Sequence, residues 1–328
     1  MKKFWILLLS VLILTSALTA CDKQTPPEVT DTTQTDAPAE ETTQSTPVIP
    51  PEQAPAPEDV IATLDPAAVI FEIGTATKQV LLPNNEWTDI QNAFTSVGYA
   101  PVEVTLLENT KLQTLVLYGK DAMVTLQKTQ ERTYAIWETY NTEILSILVP
   151  NDKTGTGNVT LAQLGIARID EDDNPLNGMS YMYKLSDGSA VIIDGGFNNK
   201  DNRQNIMDTL EKMGIAKTAD GKYHITCWIF SHGHKDHRAA FTGIGKNFGE
   251  QIALDYVMFS FPPSPGTLTT STFDSLNFET KMYEYFPNVQ HIVPHAGLAY
   301  HFDNLTVEVL YAPEMLYCTH PKCCTIPL

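Results

Sequence analysis

At 328 residues the chain has room for two domains, or for one large one once a leader is removed. Its 39 acids outweigh 21 lysines and arginines for a formal charge of −18. That makes it a poor candidate for nucleic-acid backbones, which call for clustered Lys and Arg, and no nucleic-acid partner is expected.

The beginning does not read as fold. Lys2 and Lys3 precede an apolar run from Phe4 to about Leu18, too short for a comfortable membrane span and typical of a secretory signal peptide. The run closes on Leu18-Thr19-Ala20-Cys21, which resembles a bacterial lipobox. The resemblance implies that residues 1–21 are a lipoprotein signal, that Cys21 becomes the first mature residue, and that lipid on Cys21 anchors an exported protein to the outer face of the cell membrane. From 22 to 59 the chain is Thr, Pro, Glu, Asp and Gln, with nine acids and one lysine. Such a stretch buries too little apolar surface to offset its ordering entropy, so it reads as a disordered tether.

Residues 60–158 read as a small α+β domain of unknown role. Strands are expected at Val69–Phe71, Gln79–Leu82, Val102–Leu107, Leu112–Tyr118, Met123–Leu126 and Ile144–Val149, with a helix from Trp87 to Phe94 on the spacing of Trp87, Ile90 and Phe94. Its acids are scattered, no histidine precedes His224, and no catalytic cluster is legible there. The loop 151–157 is a natural boundary.

The texture changes in residues 159–316. Met179–Leu185 and Ser189–Ile193 flank Ser186-Asp187-Gly188, a hairpin signal. The second strand ends in Asp194-Gly195-Gly196, and a helix follows from about Asp201 to Met213. The apolar strand Ile225–Phe230 runs into Ser231-His232-Gly233-His234-Lys235-Asp236-His237. Imidazole and carboxylate without thiolate suit a catalytic divalent ion, and the end of a strand in an open α/β sheet is where ligand sites lie. Further helices are expected at Arg238–Phe248 and Ser271–Phe286, the latter stopped by Pro287. Strands are expected at Leu254–Phe259, Val289–Val293, Ala299–Phe302 and Leu305–Leu310.

Strand, Asp194-Gly195-Gly196, helix, strand and His232-x-His234-x-Asp236-His237 in this order resemble the metallo-β-lactamase fold superfamily. The likeness is to bacterial members opening N-G-M-S-Y…L-S-D-G…I-D-G-G, here Asn177–Tyr181, Leu185–Gly188 and Ile193–Gly196. It covers roughly residues 160–316 and implies an αββα sandwich, incomplete at its C-terminus, behind the α+β domain and the tether. It implies that His232 and His234 hold a first metal and Asp236 and His237 a second, with Asp194 supporting the loop. His295, in a Pro294-His295-Ala296-Gly297 stretch like the P-H-T-G of relatives, would be the third ligand of the first metal. The implied cofactor is one or two Zn2+, with Mn or Fe as alternatives. Asp236 and its neighbours would serve catalysis by an activated water on a small-molecule ester, phosphodiester or amide substrate.

Two departures stand out. Lys235 and Arg238 replace small residues of relatives and either attract an anionic substrate or are plain surface. The chain also continues past Leu316 as Tyr317-Cys318-Thr319-His320-Pro321-Lys322-Cys323-Cys324, without the bridging aspartate and final histidine of relatives. The tail 317–328 reads as a small zinc cluster, as disulfide-paired cysteines, or, the reading adopted, as sequence foreign to the fold after a frameshift or early stop. Cys227, inside an apolar strand, reads as a core residue. Two functions follow: a membrane-anchored, extracytoplasmic metal-dependent hydrolase, or a non-catalytic binding lipoprotein or inactive truncated member of the same superfamily.

Overall fold

The computed structural model describes residues 53–72, 77–82, 87–107, 113–128, 133–139, 142–150, 157–165, 178–261 and 275–312. The expected signal peptide, Cys21, nearly all of the tether and the Cys-rich tail lie outside the described residues. The described part is mixed α/β, with two six-stranded sheets, a two-stranded hairpin and six α-helices.

The first sheet comprises β1 (Ile70–Glu72), β2 (Thr77–Leu81), β3 (Ala100–Val102), β4 (Gln113–Tyr118), β5 (Ala122–Lys128) and β6 (Thr133–Thr139). It is antiparallel throughout, in the order β1-β2-β6-β5-β4-β3. Helix α1 (Pro57–Leu64) begins inside the stretch expected as tether, its proline at the helix start where a missing N–H costs nothing. Together with α2 (Trp87–Ser96) it covers one face of this sheet, where Val80, Leu82, Leu117, Val124, Leu126 and Trp137 are buried. The period of two sends the alternate residues to the other face, and many of those are polar: Thr77, Gln79, Thr114, Thr125, Gln127 and Glu138 are all buried. The run Ile144–Val149, expected as a strand, is instead helix α3 (Thr142–Leu148). Ile144, Ile147 and Leu148 are its buried residues, the i, i+3, i+4 spacing of a helix face.

The second sheet has the order β12-β11-β10-β9-β8-β7, built from β7 (Thr160–Gln163), β8 (Tyr181–Lys184), β9 (Ala190–Ile193), β10 (Tyr223–Ile229), β11 (Ile252–Met258) and β12 (Gln290–Ile292). β8 and β9 form the expected hairpin, with Gly188 at φ 88° in its turn. Strands β9 to β12 are mutually parallel, so their C-terminal ends share one edge of the sheet. Helices α4 (Lys200–Lys212), α5 (Lys235–Phe248) and α6 (Ser275–Tyr285) cover one face. The core there gathers Trp228, Phe230, Phe241 and Phe278 with ring centroids 5.1–5.4 Å apart in near-perpendicular contacts.

A third core joins the sheets. It takes Val116 and Met123 from the first, Val191, Cys227, Met258 and Ile292 from the second, and side chains of α3 and of the hairpin β13 (Ala299–Phe302) and β14 (Leu305–Glu308). Residues on both sides of position 158 therefore share one core, and the described residues belong to a single compact unit. Cys227 lies in this core as a free, fully buried thiol whose pKa burial pushes up, an inert core residue.

Candidate metal centre

The parallel strands deliver three chemically loaded segments to one edge: Asp194 after β9, the 231–237 segment after β10, and His295 after β12. Asp194 is fully buried, with φ 56° in the left-handed region that short polar side chains tolerate best. Its backbone N–H donates to Ile229 O (2.8 Å), and its carbonyl accepts from Ser180 Oγ (3.2 Å) and Trp228 Nε1 (3.1 Å). The carboxylate turns to the histidine segment, accepting from Ser231 N (2.9 Å) and Ser231 Oγ (2.7 Å), with His237 Nδ1 at 2.9 Å. Gly195 N donates to His237 O and Ala240 N to Gly196 O, so the Asp-Gly-Gly turn is tied to the following helix along its backbone.

Helix α5 starts at Lys235, three residues before its expected start. His234 is its N-cap, and Asp236 and His237 occupy its first turn rather than a loop. A carboxylate there is favoured by the helix dipole. Gly178, at φ 126°, packs so closely that a Cβ would come within 2.1 Å of the Asp236 carbonyl oxygen. Gly178 and Ser180 belong to the motif seen in the sequence, but their roles come only from these contacts.

Ligand atoms of His232, His234 and Asp236 lie within 4.8 Å of one another, a group of three that could hold a metal ion. His232 Nε2 and His234 Nδ1 are 2.9 Å apart, while Ser231 Oγ lies 3.0 Å from His232 Nδ1 and fixes which nitrogen faces its neighbour. Two imidazole nitrogens at that distance share one proton, the place a cation takes. Burial, then the nearby His237 and His234, hold His232 below the ordinary imidazole pKa, in the neutral form that ligates. His237 Nε2 stands 3.6 Å from Asp236 Oδ2, while its Nδ1 is occupied by Asp194. A carboxylate on the far nitrogen of an imidazole is the usual support of a metal-ligating histidine. The donor set and its support therefore fit a divalent ion.

The remaining expectations resolve individually. Arg238 donates from Nε to Gly233 O (2.7 Å), and its guanidinium lies 5.3 Å from the Phe278 ring centroid, so it braces the loop; Lys235 is exposed. His291 stacks on Phe259 and His301 lies between Thr105 and Thr306, both in structural roles. His295 is 3 % exposed and stands outside the ligand group, with Nε2 3.7 Å from Glu138 Oε1 of β6. Glu138 had no signal in the sequence, being one acid within a strand. A surface cleft of about 550 Å³ lined by Asp220, Lys222, Glu250, Asp255 and Tyr285 involves the starts of β11 and β12, the opposite edge from the histidines. No family model matches the chain, and no curated protein matches it.

Proposed function

We propose that the chain is a metal-dependent hydrolase of the metallo-β-lactamase fold superfamily, exported and anchored through lipid on Cys21. His232 and His234 with Asp236 would hold a zinc ion, and Asp236 with His237 a second. The observation that carries this reading is the convergence of His232, His234 and Asp236 on a common point, with buried Asp194 bracing Ser231 and His237 behind them. The two sheets with helices on their outer faces are consistent with an αββα sandwich. A bound divalent ion supplies a water of lowered pKa, from about 16 toward about 7, and polarises a substrate oxygen.

The chain's own residues supply the rest. Asp194 and Ser231 orient the imidazoles, and the first turn of α5 presents Asp236 to the opening. Asp236 and His234 remain solvent-accessible, as a site for a small-molecule ester, phosphodiester or amide requires. Among the described residues no helix is long and apolar enough to cross a membrane.

The test is metal content and hydrolysis measured together. Purified full-length chain should carry zinc, and His232→Ala with His234→Ala should lose that zinc and the hydrolysis of phosphodiester and ester probes together. Activity that survives the double substitution would place the chemistry elsewhere. Metal bound without hydrolysis of any probe would favour the binding-lipoprotein reading.

A further inference from the structure

The polar face of the first sheet holds a second cluster that the histidine motif does not use. Six buried atoms on it or against it lack a hydrogen-bond partner: both carboxylate oxygens of Glu138, Nε2 of His295, Oε1 of Gln79, and Oγ1 of Thr114 and Thr125. Strand register relates Glu138, Gln79 and Thr125. Glu138 pairs with Thr77 on β2 and Met123 on β5, which makes Gln79 and Thr125 its diagonal neighbours on the same face. His295 is brought down on this face by fixed ties. Gln127 Nε2 donates to Ala296 O (3.3 Å), Leu107 N to Gly297 O (3.0 Å), Ala299 N to Thr105 O (3.2 Å), and His295 N to the Tyr300 hydroxyl (3.2 Å).

Glu138 and His295 are each 3 % exposed, so neither reaches bulk water for compensation. Their facing atoms are 3.7 Å apart, too far for a hydrogen bond. Two ligands on one tetrahedral ion at about 2.1 Å would be roughly 3.4 Å apart, near the observed spacing. Buried polar groups are nearly always paired, and orphans gathered on one buried sheet face, two of them 3.7 Å apart, call for an occupant. An imidazole and a carboxylate with an amide oxygen and a hydroxyl form an oxygen-rich set, suited to manganese or a similar divalent ion.

We infer that Glu138 and His295, with Gln79 and Thr125, form a buried divalent-cation site separate from the group at His232, His234 and Asp236. The two lie along the same sheet edge, β12 being two strand spacings, roughly 10 Å, from β10. Because Glu138 comes from the first sheet and His295 from the second sheet's edge, the ion would also clamp the two sheets together.

The experiment removes both imidazole ligands of the first ion at the histidine segment and then assigns the remaining binding through Glu138→Gln. Full-length His232→Ala/His234→Ala chain, stripped of metal, is titrated with Mn2+, and free Mn2+ is counted by its paramagnetic resonance signal. We expect about one Mn2+ per chain to remain bound, and adding Glu138→Gln to weaken that binding at least about tenfold. Thr125→Val should weaken it by a smaller factor. Circular dichroism of each metal-free variant controls for folding, and the isosteric Gln removes a buried charge, so its unfolding midpoint should not fall. No Mn2+ bound by the His232→Ala/His234→Ala chain would overturn the inference, as would Mn2+ binding unchanged by Glu138→Gln, and a water-filled chamber would give one or the other. The proposed hydrolase fails by a different result, namely activity that survives loss of His232 and His234.

Discussion

Asp194 Oδ2 stands 2.9 Å from His237 Nδ1 while the same carboxylate holds Ser231 through both its N–H and its hydroxyl. One fully buried side chain thus sets the orientation of the segment that carries the candidate ligands. Asp194→Asn keeps the shape and tolerates the left-handed backbone, but it replaces one acceptor by a donor. We expect zinc affinity to fall about 10- to 100-fold, as for other lost outer carboxylates, measured by competition with a chromogenic chelator. Asp194→Ala should in addition lose roughly 3 kcal/mol of stability in urea, because Ser231 N–H and His237 are left without their acceptor.

Gly178 has no room for a side chain. A Cβ there would lie 2.1 Å from Asp236 O, and φ 126° is a conformation that L-residues avoid. Gly178→Ala should displace the first turn of α5 and cost about 2 kcal/mol or more. Zinc binding should weaken with it, whereas Gly221→Ala, also at positive φ but with open space around it, should lose stability alone. Equal zinc affinity in the two variants would show that Gly178 does not position Asp236.

The aromatic core ties the histidine segment to the fold. Phe241, on the same helix as Asp236, packs against Trp228, Phe230, Phe278 and Phe286 and is fully buried. Phe241→Ala should cost about 3–5 kcal/mol in chemical denaturation, a transfer term plus the cavity left behind. A loss below about 1 kcal/mol would mean that α5 does not dock as described.

His224 and Asp255 pair at 2.7 Å across neighbouring strands β10 and β11. The hydrogen bond to Asp255 raises the His224 pKa, against the opposing effect of partial burial. The pair therefore stabilises the fold fully below the unfolded histidine value of about 6.5, and the gain fades as pH rises through the raised folded value. Both groups are substantially exposed, so the effect is small. Wild type should exceed Asp255→Asn in unfolding midpoint at about pH 5.5, and the two should converge by about pH 9. A difference that grows with pH would rule the pairing out.

Local pattern carried the histidine segment. Strand, turn and cluster follow one another within a few residues, and the apolar run before Ser231 was enough to put the cluster at a sheet edge. The hairpin at Gly188 and the helix at Trp87 were legible for the same reason, since turn chemistry and side-chain period act between near neighbours. Short apolar runs were not: Ile144–Val149 suits a strand or a helix face, and packing against the hairpin and both sheets selects the helix. Strands β6 and β7 were missed because their residues mix polar and apolar without a clear alternation.

The histidine cluster's chemistry is written in its residues; how that cluster is braced, and what faces His295, is not. Asp194 reaches Ser231 and His237 only because β9 and β10 run parallel and end at one edge. Glu138 meets His295 only because the register of β2, β6 and β5 turns one acid inward and the loop after β12 descends on it. Sequence reports what lies within a few residues of a given position, whereas a buried carboxylate is defined by groups far away along the chain. Register and burial, both products of the assembled sheets, decide which of the scattered acids becomes part of a site.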